Sequence, residues 1–345
     1  MPTDSQAGIV VERTLSMKIR NVPVGLILAI SAGLFITGAV RKISILQSQS
    51  AHEKVLAVIP KGTASMWWEV VRQGAARSAK ERGYAISWTG PEQETDREKQ
   101  IQAVEDAIVK NVAGIVLGPN DDKALVRPVE KIKAAGIPCV IIDSAVDGDP
   151  KNYVSFVATD NYLGGVKAAR RLGQACGGQG KVILTKFIQN SASTDARAQG
   201  FKETLAREFP NIQIAAEQYT LGTVEDSRQK TVDMLTRNKD VVGLFAVNQP
   251  TTVGAYKALQ NQELIGKVKM IGFDSDPVLL EGIENGGVEA IVIQNPYAIG
   301  YEGVRIVIEA IEGKAAPPQV PIESMVVDQS NLARMKEEFP AALGL

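Results

Sequence analysis

A chain of 345 residues, 45% apolar and 22% charged, is long enough for about two globular domains, each with its own core. Its 38 basic and 39 acidic side chains leave a formal net charge of −1, so no field gathers nucleic acid or an anionic membrane surface, and neutral ligands suit the balance better. With one histidine and two cysteines, histidine triads, most transition-metal sites and a disulfide scaffold are disfavoured, and no cofactor is expected.

The first element in chain order is Val22–Val40, an uncharged run that comes after Lys18 and Arg20. It is near the lower limit for a membrane-spanning helix and long for the apolar part of a secretory signal. Both readings export the rest of the chain, so residues 1–47 are expected to be a signal or membrane-anchor segment and the remainder to be periplasmic or otherwise extracytoplasmic. Cleavage near Gly38-Ala39 and an uncleaved inner-membrane anchor both stay open, because Arg41 and Lys42 spoil a clean cleavage pattern. Met1 and Met17 are both candidate starts. His52 sits in the polar stretch "QSQSAHEK" and reads as a linker residue.

From Lys54 onward, short β-branched runs alternate with segments of helical period, the pattern of βαβ units feeding a parallel sheet. The first series is Val55–Ile59, Ala85–Trp88, Gly114–Leu117, Pro138–Ile142 and Val154–Ala158. A second series comprises Val182–Phe187, Ile212–Ala216, Val241–Val247, Lys269–Phe273 and Ala290–Ile293. Between them, "MWWEVVRQGAARSAKERG", "REKQIQAVEDAIVKN", "LVRPVEKIKAAG", "GGVKAARRLGQAC" and "ARAQGFKETLAREF" read as amphipathic helices, several closed by Gly or Asn. The halves restart alike, with "KVLAVIP" and "KVILTKF", which suggests a structural duplication. Cys139 lies in the apolar run "IPCVIID" and is expected to be a buried small hydrophobe.

Two motifs fail on chemistry. "GGQGKV" lacks the first glycine and the hydroxyl residue of a phosphate loop and leads into a strand rather than out of one. "DSAVDGD" lacks the glycine and terminal Glu spacing of a calcium loop, and is better read as a turn that opens on a cleft aspartate.

In open α/β sheets ligands bind beyond the carboxyl ends of the strands. The polar or aromatic residues just past the apolar runs are Lys61 with Trp67 and Trp68, then Asp143, Asn248, Asp274 and Gln294. Any one of these is most simply a helix cap or turn former. Together they point to a shared polar ligand, and a sugar fits: its C–H faces lie flat on indole while its hydroxyls need paired donors and acceptors. At least one tryptophan is expected to wall the pocket, the other packing under the domain edge.

The stretches "ATDNYLGG", "ARAQGF", "FAVNQPTTVGAYKAL", "MIGFDSDP" and "IQNPYAIGYEGV" carry a resemblance. From Lys54 to about Val327 the chain resembles a type I periplasmic sugar-binding protein of the ribose-binding branch, the fold that lac-repressor-type regulators use to sense effectors. The resemblance implies an α/β fold of two doubly wound parallel-sheet, Rossmann-like domains joined by a three-strand hinge. It places one domain at residues 54–159 plus 295–322 and the other at 160–294 plus 323–345. It also implies that Trp67 and Trp68 are the paired stacking aromatics, and that Asp143, Arg197, Asn248, Asp274 and Gln294 bind hydroxyls. Gly118 and Ser65 stand where the ribose branch has Asn, and Ser144 where it has Arg, so the resemblance does not carry ribose itself. "PKGT" with "WTGP" is similar to rhamnose and autoinducer-2 binders, in which case Lys61 reaches the ligand.

The expected function is capture of a monosaccharide (pentose, hexose or deoxysugar) by a monomer that delivers it to an ABC-transporter permease, with a chemoreceptor as a second reader. The alternatives are an autoinducer-2-like or polyol ligand, or a membrane-anchored sugar-sensing module. A transcriptional regulator of this fold needs a DNA-binding headpiece where the apolar segment stands. An enzyme needs an acid of raised pKa, and the one candidate pair, Asp143 with Asp274, is expected to stay ionised beside Arg197.

Overall fold

The computed structural model describes residues 54–345; the apolar segment Val22–Val40, the signal-or-anchor reading and His52 lie outside the described residues. No helix among the described residues is long and apolar enough to cross a membrane.

Ten strands come from the runs that periodicity marked: β1 (Val55–Ile59), β2 (Ala85–Trp88), β3 (Gly114–Leu117), β4 (Cys139–Ile142), β5 (Ser155–Thr159), β6 (Gln179–Thr185), β7 (Asn211–Gln218), β8 (Val241–Ala246), β9 (Lys269–Phe273) and β10 (Ala290–Ile293). The helices between them are α1 (Met66–Glu81), α2 (Arg97–Val109), α3 (Val126–Ala134), α4 (Asn161–Ala175), α5 (Ala192–Glu208), α6 (Val224–Arg237), α7 (Gln249–Asn261), α8 (Pro277–Glu284) and α9 (Pro296–Ile311). Two further strands, β11 (Gln319–Ile322) and β12 (Met325–Val327), and α10 (Leu332–Glu338) complete the chain.

These strands form two six-stranded sheets with one shared topology, β11-β5-β4-β3-β1-β2 and β12-β10-β9-β8-β6-β7. All pairings are parallel except that of β12 with β10. The chain therefore passes between the lobes after β5, after β10 and after β11, which makes a three-strand hinge. The duplication suggested by "KVLAVIP" and "KVILTKF" has its counterpart here, since β1 and β6 take the same place in their sheets.

Both faces of each sheet are covered, as parallel sheets require. Along β1, Leu56 and Val58 enter one core cluster with Val71 and Val307, while Ala57 and Ile59 enter another with Val104 and Ile132. Burying each large aliphatic side chain stabilises the fold by about 1.5–3 kcal/mol. Cys139 belongs to this core; it is 1% exposed and burial pushes its thiol up to about 12.

Two helices begin earlier than periodicity suggests. α4 starts at Asn161, capped by the Asp160 carboxylate, which accepts from the Leu163 N–H. α5 starts at Ala192. The pair Gly164-Gly165 opens the segment of helical period in the sequence, yet both residues lie inside α4 because another backbone must come close. A Cβ on Gly165 would collide with the Arg197 carbonyl oxygen, and one on Gly200 with that of Tyr162. The first lobe repeats the arrangement, with Gly74 against the Tyr297 carbonyl and Gly300 against that of Val71. β11 and β12 escape the periodic reading because they are short edge strands, and Pro321 sits where an edge tolerates it.

The α1–α9 contact yields a test. Gly300→Ala forces a methyl onto backbone oxygen, which cannot swing aside, so the helices must separate. A loss of about 1–3 kcal/mol is expected, seen as a lower urea midpoint at unchanged slope.

Candidate functional site

Asp143 and Asp274 come directly after β4 and β9, equivalent strands of the two sheets, and both adopt the left-handed conformation, with φ 62° and 64°. Their N–H groups donate to the carbonyls of Val157 and Val292 at 3.0 and 2.8 Å. Asp tolerates this backbone region better than most residues. The same turn in each lobe thus brings one carboxylate to the cleft between them.

The cleft between the lobes encloses a small cavity, which suits a single ring better than an oligosaccharide. Every residue singled out from sequence lines it: Lys61, Trp67, Trp68, Asp143, Arg197, Asn248, Asp274 and Gln294. Ser65, Glu94, Ser193, Thr194, Gln249 and Pro250 line it too. Sequence reading missed Glu94, Ser193 and Thr194, although Glu94 lies in the loop beyond β2 and the other two beyond β6.

The first lobe supplies a buried ion pair, with Lys61 Nζ 2.7 Å from Asp143 Oδ2. Lys61 also donates to Ser193 Oγ of the second lobe at 2.9 Å, and the Ser193 N–H donates back to Ser144 Oγ at 3.1 Å. Outside the cavity, the Asp122 N–H donates to the Asn190 carbonyl at 2.9 Å and Asn190 Nδ2 to Asp121 Oδ2 at 3.2 Å. The lobes are therefore closed on one another.

In the second lobe Arg197 is 2% exposed. Its Nε donates to Asn161 Oδ1 at 2.8 Å, its Nη1 donates to the Val247 carbonyl at 2.9 Å and lies 3.6 Å from Asp274 Oδ2, and its guanidinium stacks 3.7 Å from the Phe273 ring centroid. Asp274 accepts from Gln294 Nε2 at 2.7 Å and from the Gln249 N–H at 3.3 Å. Asn248 does serve as a cap: its Oδ1 accepts from the Thr251 N–H at the start of α7. Cap and cavity wall coexist because the cap engages only the amide oxygen. Gln294 Oε1 and Trp67 Nε1 are buried with no protein partner, an acceptor and a donor that a polyhydroxylated ligand could satisfy.

The tryptophans differ from expectation. Both line the cavity, edge to face at 4.8 Å and 81°. Trp68, 1% exposed, is also part of the first lobe's core, so wall and core are one residue here rather than two. Its Nε1 donates to Glu94 Oε1 at 2.8 Å. Gly118 is explained by the same indole, because a Cβ there would lie 2.8 Å from Trp68 Cη2.

The expectation that neither cleft aspartate has a raised pKa needs correction at Asp274. Burial pushes its carboxyl above the usual range, against the opposing pull of Arg197 and Gln294. Burial likewise raises Glu94, with Lys61 and the Trp68 N–H opposing, and Asp143 and Asp274 adding repulsion. Burial lowers Arg197, while Asp274, Asp143 and Glu94 support its charge. The cleft is held together by compensation, and removing one member of such a buried pair typically costs about 3–5 kcal/mol.

A carboxyl whose folded pKa lies above its unfolded value contributes stability that is full below the unfolded value and lost as pH rises through the folded one. The ligand-free protein is therefore expected to lose stability as pH climbs above the ordinary carboxylate range. Glu94→Gln removes the Glu94 share of that loss and leaves that of Asp274, so its melting temperature should fall less between mildly acidic and neutral pH than that of the wild type.

The periplasmic binding protein domain matches residues 56–315. The D-allose-binding periplasmic protein of Escherichia coli (strain K12) is 29% identical over 283 residues, 79% of this chain and 89% of that protein. A carbohydrate transporter solute-binding protein from Agrobacterium radiobacter, solved in complex with D-arabinose, superposes with a TM-score of 0.81 at 30% identity, covering 85% of this chain and 100% of the other. An ABC transporter solute-binding protein from Agrobacterium vitis with bound D-fucose gives a TM-score of 0.79 at 31% identity, covering 84% and 99%. With its two like α/β sheets, three-strand hinge and polar cleft, the chain belongs to the periplasmic binding protein family in its type I form, a family of solute binders for transport rather than of enzymes.

Proposed function

We propose that the protein captures a monosaccharide in the cleft by hinge closure and hands it unchanged to an ABC-transporter permease. The observation that carries this is the split of the polar ring. Lys61, the Trp pair and Asp143 come from the lobe of the first sheet, while Arg197, Asn248, Asp274 and Gln294 come from the lobe of the second. Only the closed form offers all of them at once, and that is the differential affinity a population shift requires. Relatives that bind D-allose, D-arabinose and D-fucose support the ligand class.

In this reading the eight residues named from sequence hold the sugar, and the moving bodies are residues 54–159 plus 295–322 and 160–294 plus 323–345. Residues 1–47 direct export and, if retained, tether the binding lobes beside the permease. A chemoreceptor reading the same closed surface is a second partner, and the protein acts as a monomer.

Scattering on ligand-free and sugar-saturated protein should show a smaller radius of gyration when bound, with the sugar recovered intact by mass spectrometry. In fluorimetry against pentoses, hexoses and deoxysugars, a cognate ligand at 100 times its Kd should stabilise the fold by about 2.7 kcal/mol. An unchanged radius together with no thermal shift across the panel would overturn the reading.

Asp274→Ala leaves Gln294 Nε2, the Gln249 N–H and the Arg197 charge without their acceptor. A cost of about 1–3 kcal/mol or more is expected, so calorimetry should show binding weakened at least about tenfold.

A further inference from the structure

Three acids and two bases line the cleft: Glu94, Asp143 and Asp274 against Lys61 and Arg197. Both bases are committed. Lys61 sits 2.7 Å from Asp143, and Arg197 lies 3.6 Å from Asp274 while its Nε and Nη1 are spent on Asn161 and Val247. Glu94 makes no ion pair among the described residues; its one side-chain partner is the Trp68 N–H, on Oε1. With all three acids ionised the cleft is one positive charge short, and the carboxylate left without a cation is Glu94, whose Oε2 has no hydrogen-bond partner among the described residues.

A hydroxyl facing Oε2 donates a hydrogen bond but leaves the charge uncompensated. A protonated primary amine does both, and a charge-assisted bond is roughly twice as strong as a neutral one. The remaining unpartnered groups, Gln294 Oε1 and Trp67 Nε1, suit the hydroxyls of the rest of the ring.

Resting on the monosaccharide reading above, we propose that the preferred ligand of this cleft is an amino sugar, seated with its ammonium group against Oε2 of Glu94. Glu94 is then the residue that sets ligand charge, and Lys61 cannot substitute for the amine because Asp143 and Ser193 hold it. The repulsion that Asp143 and Asp274 exert on Glu94, and its upward shift on burial, are relieved when the amine arrives.

The test is calorimetry of the full protein with glucosamine, galactosamine and mannosamine, each against glucose, galactose and mannose, in buffer that keeps the amines protonated. At least one amine should bind about tenfold or more tightly than its neutral parent, the gain expected for a hydrogen bond to a charged group. Glu94→Gln should bring that pair within about twofold of each other, whatever the absolute affinities, with folding of the variant verified by its melting transition. Neutral sugars binding as tightly as the amines to wild type, or an amine preference that survives Glu94→Gln, overturns the proposal and leaves the monosaccharide reading standing. Failure of all six to bind folded wild-type protein overturns the proposal and counts against the monosaccharide reading as well.

Discussion

Charge burial at the meeting of two sheets is the constraint on which the rest of this structure depends. Lys61, Asp143, Arg197 and Asp274 are each under 10% exposed, and buried charges need accurately placed partners. That precision comes from the scaffold. Two strand ends in left-handed turns carry the aspartates, Asn161 ties the Arg197 guanidinium to the Asp143 carbonyl, and Phe273 supplies an aromatic face under it. A site so arranged binds polar ligands by supplying what the closed cleft lacks.

The scaffold achieves this twice over. Equivalent strand orders, equivalent aspartate turns and equivalent glycine-lined helix crossings recur in the two lobes. Glycines at α1–α9 and α4–α5 let the helix backbones approach to contact, which fixes each helix pair against its sheet and so fixes the loops that face the cleft.

The paired tryptophans join these two levels. Trp68 is at once core, cavity wall and hydrogen-bond donor to Glu94, so the shape of the pocket is coupled to the packing of the first lobe. The glycine at position 118 is the counterpart of that indole.

Ten strands, five of the helices and seven of the eight cleft residues were legible because each rests on a local rule, periodicity or position just past a strand in a parallel sheet, whereas Arg197, inside α5, was implied only by the family resemblance. What sequence could not show was pairing in space. Gly164-Gly165 looked like the start of a helix until the Arg197 backbone was seen against it. Glu94 sits in the loop beyond β2 and Ser193 and Thr194 in the first turn of α5, ahead of the stretch that periodicity marked, so only the fold brings them to the cavity. Cross-lobe bonds such as Lys61 to Ser193 and Asp122 to Asn190 join residues remote in the chain. By itself the sequence determined the two βα series, the scarcity of histidine and cysteine and the polar character of the site, since these come from local pattern and composition. Tertiary structure alone decided which cations are spent and which carboxylate is left over, because electrostatic compensation depends on distance in space and not on spacing along the chain.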